Sequence, residues 1–326
     1  MVDTALKPKP QGRRAPSLFG NPVVLKELRG RMRGPRAFVV MTIYLLLMCG
    51  FASLLYVLYT AQISTYGFAA TGRIGIVLFI GVVGMELFLV TFIAPSFTAS
   101  AITGEREKQT YDLLRTTTLR SSSLIVGKLV SALSYILLLL AAVPLQSIAF
   151  LFGGVSEVEV VLSFVILVIT ALALGSVGIY FSALVQRSVT ASVLTYAFAL
   201  FVTLGLPLIA FIIGAFALPL FGVNLYSGNL SLVTQVIMFY GLGLLICTNP
   251  LATALYTEAL IAAPSNIQGS PIGYFTQTLS YTPSNGVPQR LDIPLVSPWI
   301  GFTVFYVGLS AILILLAIRR VKRIEK

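Results

Sequence analysis

The chain has 326 residues, 57% of them hydrophobic and only 10% charged, with 22 Lys and Arg against 11 Asp and Glu. Its mean hydropathy is +0.95, and a soluble domain, which carries about 25% charged residues, has nowhere to bury that much apolar surface. An ordinary water-soluble enzyme and any disordered or fibrous class are excluded, and the absence of histidine removes His-based acid–base chemistry and His-ligated metals.

Residues 1–37 are mostly polar, and a first span that follows them is expected to stay as an uncleaved anchor. Within this tail, Asn21-Pro22 opens a helix in which Val24, Leu25, Leu28 and Met32 recur at helical spacing. Lys26, Arg29 and Arg33 fall towards the other side, and Gly34-Pro35 ends the segment. That pattern predicts a short amphipathic helix on the cytoplasmic leaflet. It is either an anchor that sets topology or a hinge that also touches a cytoplasmic partner.

Crossing the bilayer core takes about 20 apolar residues. Runs of that kind cover 38–60, 74–100, 124–152, 158–185, 190–218 and 298–318. The expected fold is therefore an all-α integral membrane protein with about six transmembrane helices. A shorter run, 231–248, reads as a re-entrant or interfacial helix on the outer face. Cys49 and Cys247 lie inside apolar runs and read as small buried hydrophobes. Pro95, Pro144 and Pro207 each predict a kink in a span. Gly81 and Gly84, and the pair Ala171 and Gly175, are candidate points of close helix approach.

Glu86 stands near the middle of the second run. A carboxylate at that depth costs at least a few kcal/mol unless it is protonated or paired. It is either a functional group or a neutral hydrogen-bonding one.

Between the second and third runs, eight charges fall within residues 103–128. Glu105 and Glu107 favour a helix start and Arg115 a helix end, while Tyr111, Leu113 and Leu114 supply an apolar side. The segment is either a docking surface or a solvated connection. Further on, residues 249–297 hold six prolines among Asn, Ser and Gly and read as an outer loop with many turns. Asn249-Pro250 should begin a short helix through about Ile261. Trp299 marks the membrane interface at the start of the last span.

Twenty of the 22 basic residues lie before residue 37, within 103–128, at Arg187 or after residue 318; only Arg73 and Arg290 remain. Six spans with both termini in the cytoplasm place all twenty on the positive side. The domains read as a cytoplasmic tail and connecting helix (1–37), a transmembrane region (38–318) and a basic cytoplasmic tail (319–326). The location expected is the inner (plasma) membrane, multi-pass. The charge is thus a topology signal, and no nucleic-acid partner is expected. No phosphate-cradling Gly-x-x-x-x-Gly-Lys-Ser/Thr, no Gly-x-Ser-x-Gly elbow and no carboxylate pair at acid–base or metal spacing occurs. The chain is not expected to be an enzyme, nor to hold a catalytic, metal or cofactor site.

The stretch "IAPSFTASAITGEREKQTYDLL", Ile93 to Leu114, followed by Gly127-Lys128, resembles the permease subunit of a type-2 ATP-binding-cassette (ABC) exporter. The opening "NPVVLKELRGRMRG" is similar to that family's connecting helix. Where many members carry Thr-Pro after the leucine pair, this chain has Thr117-Thr118. The run 231–248 and the Pro-rich loop look like additions. The resemblance implies a dimer with a second permease copy or a homologous permease, embedded in the lipid bilayer. It also implies a separate ABC ATPase subunit that holds ATP and Mg, docked on a coupling helix at about 104–116. Glu105, Arg106, Glu107, Lys108, Thr110, Leu113, Leu114 and Arg115 are the partner-binding candidates it implies. Two other classes stay open: a secondary transporter, and a membrane scaffold subunit of a larger complex.

Overall fold

The computed structural model describes residues 22–32, 35–66, 74–109, 121–141, 153–217, 232–262, 268–282 and 287–324. In chain order the helices are α1 (Pro22–Met32), α2 (Pro35–Tyr66), α3 (Ile74–Thr98), α4 (Thr103–Glu107), α5 (Ser121–Ala141), α6 (Glu157–Leu184) and α7 (Ser188–Leu200). A π-helical turn, Phe201–Gly205, joins α7 to α8 (Leu206–Ile212), and α9 (Leu232–Thr248) and α10 (Pro250–Ala262) follow. Three strands, β1 (Gln268–Ser270), β2 (Tyr274–Tyr281) and β3 (Gln289–Val296), precede α11 (Pro298–Ile324).

Among the described residues, six helices are long and apolar enough to cross a membrane, Phe38–Ala61, Ile74–Glu107, Ser122–Leu140, Glu157–Leu184, Ser188–Ile212 and Pro298–Lys322, and the bent pair α9–α10 passes the same test only when its two helices are taken together. The six coincide with the six expected runs, although residues 142–152 of the third run, Pro144 included, lie outside the described residues. This is the make-up of a multi-pass membrane protein.

α6 is the centre of the bundle, with α3, α5, α7, α10 and α11 packed around it. Two thirds of its apolar window (67%) is buried, against 11% for α2. Lipid tails are as apolar as Leu, so helices associate through close packing, which small residues permit. α6 supplies them at Ala171, Ala173, Gly175, Ser176 and Gly178, all buried. A Cβ on Gly178 would strike the Thr98 side chain and lie 3.1 Å from the Ala99 amide, and one on Gly175 would meet Leu129 at 3.2 Å. Gly81 is likewise filled by Leu55 of α2, whereas Gly84 has no neighbour within 4 Å. Only one of those two glycines therefore serves close approach. α2 packs by a single stripe, Tyr44 and Met48, and exposes Phe38, Ile43, Leu46 and Leu54. Cys49, expected to be buried, lies on that exposed side.

Pro207 has no N–H to give Thr203 O, its partner four residues back. The preceding turn widens into the π-helical Phe201–Gly205. Asn249 compensates by donating its side-chain amide to Val202 O at 3.1 Å and Thr203 O at 2.8 Å. Its Oδ1 accepts from Ala252 N at 3.0 Å, which caps α10. One residue thus closes two helix defects, and α9 and α10 meet there at a bend of 116°. α10 begins and ends within a residue of the sequence expectation.

The Pro-rich segment, expected as turns, contains a small antiparallel sheet of order β1-β2-β3. Phe275 pairs with Leu295 and Leu279 with Leu291; Phe275, Leu279 and Ile293 are its buried residues. Pro294 is tolerated because β3 is an edge strand. The sheet is pinned to the start of α11: Trp299 Nε1 donates to Ile272 O at 2.7 Å and Ser297 Oγ to Pro271 O. It therefore sits at the end of the bundle where α6 and α11 begin. α4 sits at the other end, where Ile102, Ile125, Ile179 and Val321 pack together.

Candidate functional site

The charges concentrated after α3 organise the α4 end of the bundle. α4 is one short helix, and Ile102 provides no side-chain cap for it. The cap comes from α6, whose Ser182 Oγ accepts from Ile102 N at 2.9 Å and from Thr103 N at 3.1 Å. Gln109, at φ 58°, turns the chain away after α4.

Three charged residues of α4 then grip three other elements. Arg106 Nη1 donates to Val185 O at 3.0 Å, at the carbonyl end of α6. Glu107 accepts from Ser188 N at 2.7 Å and from Ser188 Oγ, at the amide end of α7, where Arg187 offers no side-chain cap. A cation at a helix C-terminus and an anion at an N-terminus are each favourable by roughly 0.3–1 kcal/mol, less where water screens them. Consecutive residues of opposite charge thus fit the consecutive ends of α6 and α7. Glu105 turns inwards, where Oε1 accepts from Lys128 Nζ of α5 at 2.7 Å. The same Nζ donates to Glu27 Oε1 of α1 at 2.8 Å. Lys128 is 3% exposed. A lone buried ammonium is very costly, so both carboxylates are needed to hold it there, and together they clasp α1 and α4 onto α5.

Of the residues expected to meet a partner, Glu105 and Arg106 are engaged within the chain. Glu107 holds Ser188 while staying exposed, and Lys108 is exposed. Thr110, Leu113, Leu114 and Arg115 lie outside the described residues, and the helix seen here, Thr103–Glu107, ends at the turn through Lys108 and Gln109. Lys128 and Glu27 were missed as site residues. Only the unusual Gly-Lys pair at the start of an apolar run marked Lys128, and Glu27 looked like one acid in a basic helix.

Glu86 is fully buried. It faces α2, close enough to Tyr44 to interact with it electrostatically. Two further acids are buried, Glu159 and Glu258. Sequence spacing offered no carboxylate pair, but the fold makes one, because both residues line a single cavity between α3, α6 and α10. Nothing marks that pair in the sequence, where the two stand 99 positions apart. Among the described residues no group of three or more Cys, Asp or Glu is placed to hold a metal ion. Compared with known proteins, the chain matches no family model and no curated sequence.

Proposed function

We propose that this chain is the membrane-spanning permease subunit of a type-2 ABC transporter, exporting a cargo with energy from ATP hydrolysed by a separate ATPase subunit. ATP and Mg belong to that partner. The chain works as a dimer with a second permease copy or a homologous permease. It lies in the inner (plasma) membrane with both termini cytoplasmic, so the α4 end faces the ATPase and the sheet faces outwards. The bent α9–α10 pair is re-entrant from the outer side.

The observation that carries this reading is the clasp at the α4 end. A docking element that delivers work must not pivot freely. Here α4 is tied to α1 and α5 through Lys128, to the end of α6 through Arg106 and to the start of α7 through Glu107. A push on the 104–116 segment therefore moves the cytoplasmic ends of several spans together. Leu113 and Leu114 supply the apolar centre of the contact with the ATPase, and Lys108 and Arg115 its rim, where single charges are worth little.

The test is co-purification of the full chain in mild detergent. The expected result is an ATP-hydrolysing P-loop subunit retained by the wild type and lost in the double variant Leu113→Asp, Leu114→Asp. Retention of the ATPase by that variant, or no ATPase at all, contradicts the proposal.

A further inference from the structure

A cavity at the sheet end of the bundle lies between α3, α6 and α10. Its walls are apolar: Phe79 and Val83 of α3, Leu162 and Ile166 of α6, and Leu251 and Leu255 of α10. Gly84 also lines it, and a Cβ there would meet nothing within 4 Å. The polar groups gather on one side. Glu159, Thr257 and Glu258 line the cavity, each less than a tenth exposed.

Two of these three residues have unused hydrogen-bonding atoms. Glu258 Oε1 and Thr257 Oγ1 are buried and meet no hydrogen-bond partner. Thr257 is unusual in this respect. Among the described residues, other buried helical threonines give their hydroxyl to a backbone carbonyl, Thr91, Thr98, Thr170, Thr195 and Thr203 to the one four residues back and Thr253 to Ile246 O. Thr257 does not. Glu159, in contrast, is half committed, since its Oε2 accepts from Ser156 N at 2.7 Å in the cap of α6. Glu159 and Glu258 also interact electrostatically, and no Lys or Arg is among the cavity-lining residues. Buried acceptors without donors are costly. What would satisfy them is a ligand that brings both positive charge and N–H donors.

We propose that this cavity binds the primary ammonium head of an amphiphile, with Glu258 and Thr257 accepting from the N–H groups and the walls of α3, α6 and α10 holding its hydrocarbon chain. A hard metal ion fits poorly, because it asks for six or more oxygen ligands and the walls offer few. An anionic head is repelled by the carboxylates. A quaternary ammonium brings charge without a donor and leaves Glu258 Oε1 and Thr257 Oγ1 unpaired. The site lies at the end of α6 opposite α4, about 35 Å away at 1.5 Å per helical residue, so it holds whether or not an ATPase docks there.

The experiment uses the purified full chain in non-ionic detergent, with decylammonium as probe and decanol and decyltrimethylammonium as controls. Binding is read by thermal stabilisation and by native mass spectrometry. Decylammonium should bind and stabilise, and the controls should bind at least about tenfold more weakly, the loss expected for charged hydrogen bonds. Glu258→Gln should weaken decylammonium by about tenfold and Thr257→Val by a few-fold. Gly84→Leu should fill the cavity and abolish binding with no loss of melting temperature. Should Glu258→Gln fail to fold, Thr257→Val and Gly84→Leu carry the same test. Equal binding of decanol, an unchanged affinity in all three variants, or full binding to Gly84→Leu overturns the proposal.

A second arm separates the sources of such a head group. In nanodiscs of mixed phosphatidylethanolamine and phosphatidylcholine, retention of phosphatidylethanolamine by the wild type but not by Glu258→Gln assigns the site to a membrane lipid. Decylammonium binding without retained phosphatidylethanolamine assigns it to a free amphiphile. Neither result overturns the proposal.

Discussion

Replacing Lys128 with Met keeps the length of the stem and removes only the charge. In the native protein Lys128 is 3% exposed and bridges Glu27 and Glu105, which are 20% and 23% exposed. Removing one member of a fully buried ion pair costs about 3–5 kcal/mol, because the partner's charge is left uncompensated. The two carboxylates retain some contact with water, which lowers the expected cost of Lys128→Met to about 2–3 kcal/mol. Neutralising all members removes the uncompensated charge. The triple variant Glu27→Gln, Glu105→Gln, Lys128→Met should therefore lie within about 1 kcal/mol of wild type. The assay is the unfolding free energy of the purified protein in detergent, with limited proteolysis after residue 32 reporting whether α1 has detached from α5. The single variant should be the least stable and the most readily cut. A triple variant as damaged as the single one, or a silent Lys128→Met, refutes the clasp as an electrostatic device.

Other consequences are equally direct. Asn249→Ala leaves the Val202 and Thr203 carbonyls without their donor, a loss of about 1–3 kcal/mol per buried group; Asn249→Asp, which keeps the α10 cap but cannot donate, should be nearly as harmful in thermal unfolding. For Glu86, Gln should insert and fold. A transport defect in Glu86→Gln marks function, and a silent Gln beside an unstable Glu86→Ala marks packing. Topology is read by cysteine labelling in a background without Cys49 and Cys247: a probe at 290 should react from outside and one at 324 should not. Charge reversal at Lys108 or Arg115 should weaken ATPase association only modestly and more at low salt, as measured by binding at two ionic strengths.

The spans were legible because bilayer thickness fixes their length, and each apolar run carries that length on its own. Asn249-Pro250 was legible for a similar reason, since a cap followed by proline is a local signal. What sequence could not reveal depends on pairing across the fold. Lys128 looks like one more positive-side residue until α1 and α4 bring Glu27 and Glu105 to it. Glu159 and Glu258 become a pair only when α10 packs against α3 and α6. The sheet was hidden because Pro294 argues against a strand everywhere except at an edge. Gly81 and Gly84 look alike in sequence, yet one holds Leu55 and the other opens a cavity.

Under the proposed function, work enters this protein through the segment after α3. The most direct measurement of this is ATP turnover by the complex of this chain with its co-purifying ATPase in lipid nanodiscs. The wild-type chain should set a turnover rate that Leu113→Asp with Leu114→Asp reduces to that of the ATPase alone, while the variant still inserts in the membrane. An ATPase whose turnover is the same with the wild-type chain, with the variant and with no chain at all would contradict it.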